Sequence, residues 1–343
     1  MKMLIRALLV GIVSIQLLTG CQGEPDRVLE GDWKRYKTRF VAEDGRVIDT
    51  GNGGVSHSEG QGYGMIIAVK LNDKETFTKV WQWTRNNLQV RKDSLFMWRR
   101  RQGKPLADED PNNATDGDLV IAWALLEAAT KWQQPAYEQE AFKILDDVKR
   151  KLIVQNHGMT VILPGEHGFR THDKIILNLS YWVYPALKEF SVRDPYPVWP
   201  DLIASGPALL QQARFGRWQL PPDWLEIGDD NAMAPAKKGR FGYDSVRVPL
   251  YLVFAGIDHD VLAPFAEYWT YYQAYTPAWI DLNENVMDSY GAGAGIKSIK
   301  QLTLAVMAKT RSATFGSIGD AEDYYSATLL LLSKLSYREF LKR

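Results

Sequence analysis

The chain has 343 residues, 45% of them hydrophobic, enough for one large domain or two ordinary ones around a sizeable core, which excludes disorder as the default reading. Lys plus Arg and Asp plus Glu both number 41, so no net field draws nucleic acid or an acidic partner. The 12 Trp suit a sugar-binding cleft or a helical core equally well, and composition does not separate the two.

Lys2 and Arg6 give a basic start, followed by an apolar run over 7–18 that only Gly11, Ser14 and Gln16 interrupt. That run is too short and too polar to span a membrane and reads as a signal peptide over residues 1–20. Leu18-Thr19-Gly20-Cys21 resembles the lipobox of bacterial lipoproteins, in which the Cys is lipid-modified and becomes the mature N-terminus. An ordinary signal peptide followed by a chance Cys is the alternative. Cys21 is the single Cys of the chain, so no intramolecular disulfide forms, and its one use favours an anchor. By analogy with such lipoproteins, Gln22 after the Cys implies an exported protein facing the periplasm at the outer membrane of a Gram-negative cell, touching the membrane through that lipid only.

Residues 21–32 read as a polar tether, and no linker divides the remainder, so 33–343 is read as one domain. Apolar periodicity predicts helices over 60–70, 73–88, 117–132, 136–152, 174–190, 199–213, 245–256, 259–274, 298–309 and 321–334, with few strands, a mainly α class. Leu119 to Ala129 and Tyr324 to Leu335 are apolar on nearly all sides, which predicts helices covered by other helices in two layers.

Three segments carry candidate chemistry. In His57-Ser58-Glu59-Gly60-Gln61-Gly62-Tyr63-Gly64 a carboxylate sits among glycines before an apolar helix, where backbone can approach a ligand closely. Ser58 and Gln61 also have the spacing of a capping box, which accounts for the same residues structurally. A helix N-terminus lowers a carboxyl pKa, so if Glu59 is a general acid, burial or a neighbouring anion must outweigh the dipole. Ala114-Thr115-Asp116-Gly117-Asp118 opens the next apolar helix, where Thr115 or Asp116 is a good N-cap and the paired acids lack the loop spacing of a calcium site. In Tyr243-Asp244-Ser245-Val246-Arg247 an acid and a base lie three apart at a helix start, a weak pair when exposed, but one that holds Asp244 ionised if it lies in a cleft. The five histidines, His57, His157, His167, His172 and His259, show no metal-ligand spacing, and no phosphate-binding glycine loop is present.

Taken in order, S-E-G-Q-G-Y-G-M, A-T-D-G-D-x-x-I-A-W-A-L and Y-D-S-x-R resemble glycoside hydrolase family 8, over roughly residues 33 to 335. The resemblance implies an all-α (α/α)6 barrel of six inner and six outer helices and an inverting hydrolase that needs neither metal nor organic cofactor. It places the general acid on Glu59, the general base on Asp244, the aspartate that binds and distorts the sugar on Asp116, and the arginine beside the base on Arg247. It also places a water-positioning tyrosine on Tyr181, although Leu179 replaces the usual Pro, and a sugar platform on Trp98. Among the family, a short exported chain without a binding module is most similar to the endoglucanases that accompany bacterial cellulose synthesis. The implied substrate is β-1,4-glucan, with a cellulose synthase or export complex as functional associate. Xylan, chitosan and mixed-linkage glucan remain alternatives on the same mechanism, and a non-catalytic glycan-binding scaffold is an alternative of another class.

Overall fold

The computed structural model describes residues 24–257 and 260–343. Residues 1–20, read as a signal peptide, and Cys21 and His259 lie outside the described residues. Among those described, the chain forms eleven α-helices: α1 Glu24–Phe40, α2 Ser58–Lys70, α3 Lys74–Asn87, α4 Thr115–Trp132, α5 Pro135–Lys151, α6 Tyr184–Arg193, α7 Val198–Gln212, α8 Arg247–Ala255, α9 Ala263–Tyr271, α10 Ala294–Met307 and α11 Tyr324–Leu341.

Two kinds of helix alternate. From Gly60 to Val69 every residue of α2 is buried, and so is every residue of α4 from Thr115 to Leu126. Helices without a polar face must be surrounded. By contrast α5 buries only Ala141, Ile144, Leu145, Asp147 and Val148, a stripe at helical spacing that seals one side of α4. The inner helices pack in turn, α2 on α4, α4 on α6, α6 on α8, α8 on α10 and α11, and α11 back on α2, which closes the ring. On the outside α3 covers α2, α5 covers α4, α7 covers α6, α9 covers α10 and α1 covers α11. This is the (α/α)6 barrel, with six inner and five outer helices among the described residues.

Nine short strands decorate the connections: β1 Ser56–His57, β2 Arg99–Arg100, β3 Ile153–Asn156, β4 Met159–Ile162, β5 Lys174–Leu177, β6 Leu225–Gly228, β7 Met233–Pro235, β8 Arg240–Phe241 and β9 Ile280–Asp281. All pair antiparallel, as β1 with β2, β3 with β4, β5 with β6 with β7, and β8 with β9. None exceeds four residues, too few for an alternating pattern to stand out in sequence. Three of the sheets feed directly into the starts of α2, α6 and α8, and so shape one end of the barrel.

Three expectations need correction. The helix predicted over 174–190 divides into β5, a 3-10 turn at Leu179–Tyr181, and α6. Asn178 enforces the break, because its side chain accepts from Ser180 N at 3.1 Å and Ser180 Oγ at 2.7 Å, and Pro185 suits only the first turn of a new helix. The stretch read as a tether belongs in large part to α1, whose Leu29 and Trp33 are buried; polar residues dominate it because only one stripe faces the barrel. The folded body therefore begins before residue 33. Finally, Ser58 and Gln61 do not form a capping box. His57 Nδ1 caps α2 by accepting from Gly60 N at 3.0 Å, while Gln61 turns inward to Val47 N at 2.6 Å and Thr84 Oγ1 at 2.9 Å.

Candidate active site

The N-termini of the inner helices open onto a cleft of about 610 Å³. Glu59 enters it from the first turn of α2, Asp116 from the first turn of α4, Tyr181 from the turn before α6, and Asp244 and Arg247 from the turn that starts α8. Neither Thr115 nor Asp116 caps α4: the N-cap is Ala114, and Thr115 Oγ1 donates to Leu163 O at 2.6 Å.

Two glycines explain how the acids of α2 and α4 meet. A Cβ on Gly117 would lie 2.2 Å from Ser58 Oγ and 2.7 Å from Glu59 N, and one on Gly62 would lie 3.0 Å from Val120. The motif glycines thus serve the close crossing of two helices, where the sequence suggested close approach of a ligand.

Arg247 is the centre of the site. Its side chain is 2% exposed and meets all three acids. Nη1 donates to Glu59 Oε2, to Asp116 Oδ2 at 3.2 Å and to Tyr63 Oη at 3.1 Å. Nη2 donates to Asp244 Oδ1 at 2.8 Å and Ser180 Oγ at 2.9 Å. A planar fork that serves several acceptors at fixed angles is what guanidinium provides and ammonium does not.

Three carboxyls on one cation cannot all ionise cheaply away from water. Burial pushes Asp116 up and the Glu59 charge pushes it further, so its carboxyl lies well above the usual range despite Arg247. Burial works on Glu59 in the same sense, but Arg247, a hydrogen bond from Asp116 and the nearby His57 overcome it, and its carboxyl lies below the usual value. Of the two carboxyls Asp116 is therefore pushed toward holding a proton and Glu59 away from it, whereas a general acid at Glu59 was expected to hold one. Asp244 is raised, by burial first and by Glu59 second, with Arg247, the Asn178 amide and Lys237 opposing.

Trp98 lines the cleft, with its ring anchored through Nε1 to Asp110 Oδ2 at 3.0 Å and one face 4.3 Å from the Arg99 guanidinium. Tyr181 stands in the wall, its ring 6.0 Å from the Arg247 guanidinium carbon and edge-on to Trp224. The sequence motifs did not single out several other residues of the site. Tyr63 lies one helical turn after Glu59 and was detectable from that spacing alone. Tyr243 and Tyr325 also line the cleft, tied by a hydrogen bond from the Tyr325 hydroxyl to the Tyr243 carbonyl. Among the described residues no group of three or more His, Cys, Asp or Glu is placed to hold a metal ion.

A helical barrel whose mouth gathers paired carboxyls and aromatic side chains is the arrangement of a polysaccharide-cleaving enzyme. The family model of the glycosyl hydrolases family 8 matches residues 7–339, and the chain belongs to that family. A probable endoglucanase of Novacetimonas hansenii is 39% identical over 320 residues, covering 92% of each chain. The family 8 endoglucanase Cel10 of Klebsiella pneumoniae superposes with a TM-score of 0.86 at 39% identity, over 90% of this chain and 99% of that one. The endo-β-1,4-glucanase CMCax of Acetobacter xylinum gives 0.85 at 38% identity, over 92% and 99%.

Proposed function

We propose that this glycoside hydrolase is an endo-β-1,4-glucanase that inverts the anomeric centre, with Glu59 as general acid, Asp244 as general base and Asp116 holding the sugar at the point of cleavage. The observation that carries the reading is the convergence of the three acids on one buried guanidinium at the floor of an open cleft. The endoglucanase names of relatives aligned along nearly the whole chain support the substrate.

Acetal cleavage needs a proton on the departing oxygen while positive charge grows at the anomeric carbon. Glu59 and Asp244 accept from opposite ends of one guanidinium, which keeps the two carboxyls within roughly 9 Å of each other and compatible with the spacing of about 6.5–9.5 Å that leaves room for a water. The water attacks the face opposite the leaving group and gives its proton to Asp244. Sugar hydroxyls that engage Asp116 favour passage of the shared proton across the existing hydrogen bond to Glu59, which donates it to the glycosidic oxygen. Trp98 offers its free face to a pyranose ring, and Tyr181 helps to hold the water.

The test is reducing-sugar release from carboxymethyl cellulose, with the anomer of the product followed by proton NMR. Glu59→Gln and Asp244→Asn should each lose at least about a hundredfold. A wild type that cuts only xylan or chitosan makes the substrate wrong, an initially β product makes inversion wrong, and variants as active as wild type overturn the mechanism.

The proposal extends to place. A signal segment over 1–20 followed by Cys21 supports a lipid-anchored enzyme facing the periplasm, and a β-1,4-glucanase at that place would act on glucan beside a cellulose synthase or export complex. Cys21→Ser should release the protein from the membrane fraction, and deletion of the gene should alter the amount or crystallinity of secreted cellulose.

A further inference from the structure

Asp223 is outside the three motifs, in Pro221-Pro222-Asp223-Trp224, yet one of its oxygens gathers the whole turn on which Asp244 sits. Oδ1 accepts from Gly242 N at 3.0 Å, Asp244 N at 3.1 Å, Ser245 N at 2.9 Å and Ser245 Oγ at 2.8 Å. Its own backbone N donates to Arg240 O at 2.7 Å, which ties it to β8 at the base of the same turn. A Cβ on residue 242 would lie 3.0 Å from Asp223 Oδ2, so glycine is what lets the carboxyl close over the turn.

We propose that Asp223 is a positioning residue of the reaction: it holds the Gly242–Ser245 turn, and with it Asp244, against the cleft floor. The inference rests on the reading of Asp244 as general base. A neutral acceptor would satisfy the same N–H groups, and an acid beside another acid costs repulsion. Burial, and then the Asp244 charge, raise the Asp223 carboxyl to about 6, so near neutral pH and below it the carboxyl holds the turn at little cost in repulsion. Lys237 lies near both Asp223 and Asp244.

The experiment measures kcat, KM and melting temperature on a soluble cello-oligosaccharide for wild type, Asp223→Asn, Asp223→Ala and Asp244→Asn. Asp223→Ala loses the anchor of the turn, and its kcat should fall by roughly 10- to 100-fold with KM little changed. The Asn variant keeps an acceptor for the same N–H groups, so its kcat should return to within about threefold of wild type with KM within about twofold. A folded Asp223→Ala variant whose kcat stays within about threefold of wild type refutes the inference, since loss of a purely structural carboxyl lowers the melting temperature without a selective loss of kcat. If Asp223→Ala does not fold, Asp223→Ser, which shortens the acceptor, decides by the same split of kcat and KM. An Asp244→Asn variant as active as wild type overturns the base assignment itself, whereas an inactive one beside an unchanged kcat in Asp223→Ala sinks only the role of Asp223.

Discussion

Replacing Arg247 by Met isolates what the buried cation does for stability. The residue is 2% exposed and meets Glu59, Asp116 and Asp244, so the variant leaves Glu59 and Asp244 as buried or half-buried anions without the cation that pairs with them directly. Removing one partner of such a cluster costs roughly 3–5 kcal/mol at pH 7. The cost depends on pH in a definite sense. The Glu59 carboxyl is depressed in the folded wild type, so its contribution to stability is present above the unfolded value and is lost as pH falls through the folded one. Without Arg247 the largest of the groups that depress it is gone, and burial weighs more heavily toward a protonated Glu59. The stability gap between wild type and Arg247→Met should therefore be largest near pH 7 and shrink by at least about 1 kcal/mol toward pH 4. Urea unfolding followed by tryptophan fluorescence at the two pH values measures both numbers. Arg247→Lys should fall between them, because an ammonium keeps the charge but not the fork. A gap that is equal at pH 7 and pH 4, or smaller than about 1 kcal/mol at both, would refute the account of Arg247 as the counter-charge of the cluster.

Gly117→Ala should lower stability by roughly 1–3 kcal/mol and reduce kcat/KM, since its Cβ would push the start of α4 away from Ser58 and Glu59; an unchanged melting temperature counts against the close crossing. Activity should follow a bell in pH. As pH falls, activity should decline through an apparent pKa above the ordinary carboxylate range because Asp244 is raised, and as pH rises it should decline when the Glu59–Asp116 pair loses its shared proton. An acid limb at or below about 4 in a kcat/KM profile contradicts the assigned direction for Asp244. Trp98→Ala should raise KM for cello-oligosaccharides about tenfold with a smaller effect on kcat, and no change in KM would show that the ring is a wall and not a platform. Gln61→Leu should cost roughly 2–4 kcal/mol in urea unfolding, because Val47 N and the carbonyl of Gly45 lose their partner, while kcat of the folded fraction holds.

By itself the sequence determined the layers and the candidate acids. Continuous apolar runs such as Leu119 to Ala129 identify inner helices because solvent cannot face a helix with no polar side, and Glu59, Asp116 and Asp244 stand out because each sits beside glycine or aromatic residues at a helix start. Local pattern failed where a contact made elsewhere decided the outcome. Gln61 reads as a cap partner, yet its amide is claimed by Val47 and Thr84. The residues before Trp33 read as tether, yet α11 gives their one apolar stripe something to cover. The run over 174–190 reads as one helix, yet Asn178 spends its side chain on Ser180 and stops it.

The tertiary structure alone decided that three acids spread over 186 positions, from Glu59 to Asp244, share one guanidinium, that burial and charge push the Asp116 carboxyl up and the Glu59 carboxyl down, and that Asp223 accepts from the turn that carries Asp244. Side-chain period reports how each helix meets its neighbours one at a time. Proton placement and convergence depend on distances among groups from different helices and on their removal from water, and those quantities exist only once the barrel closes.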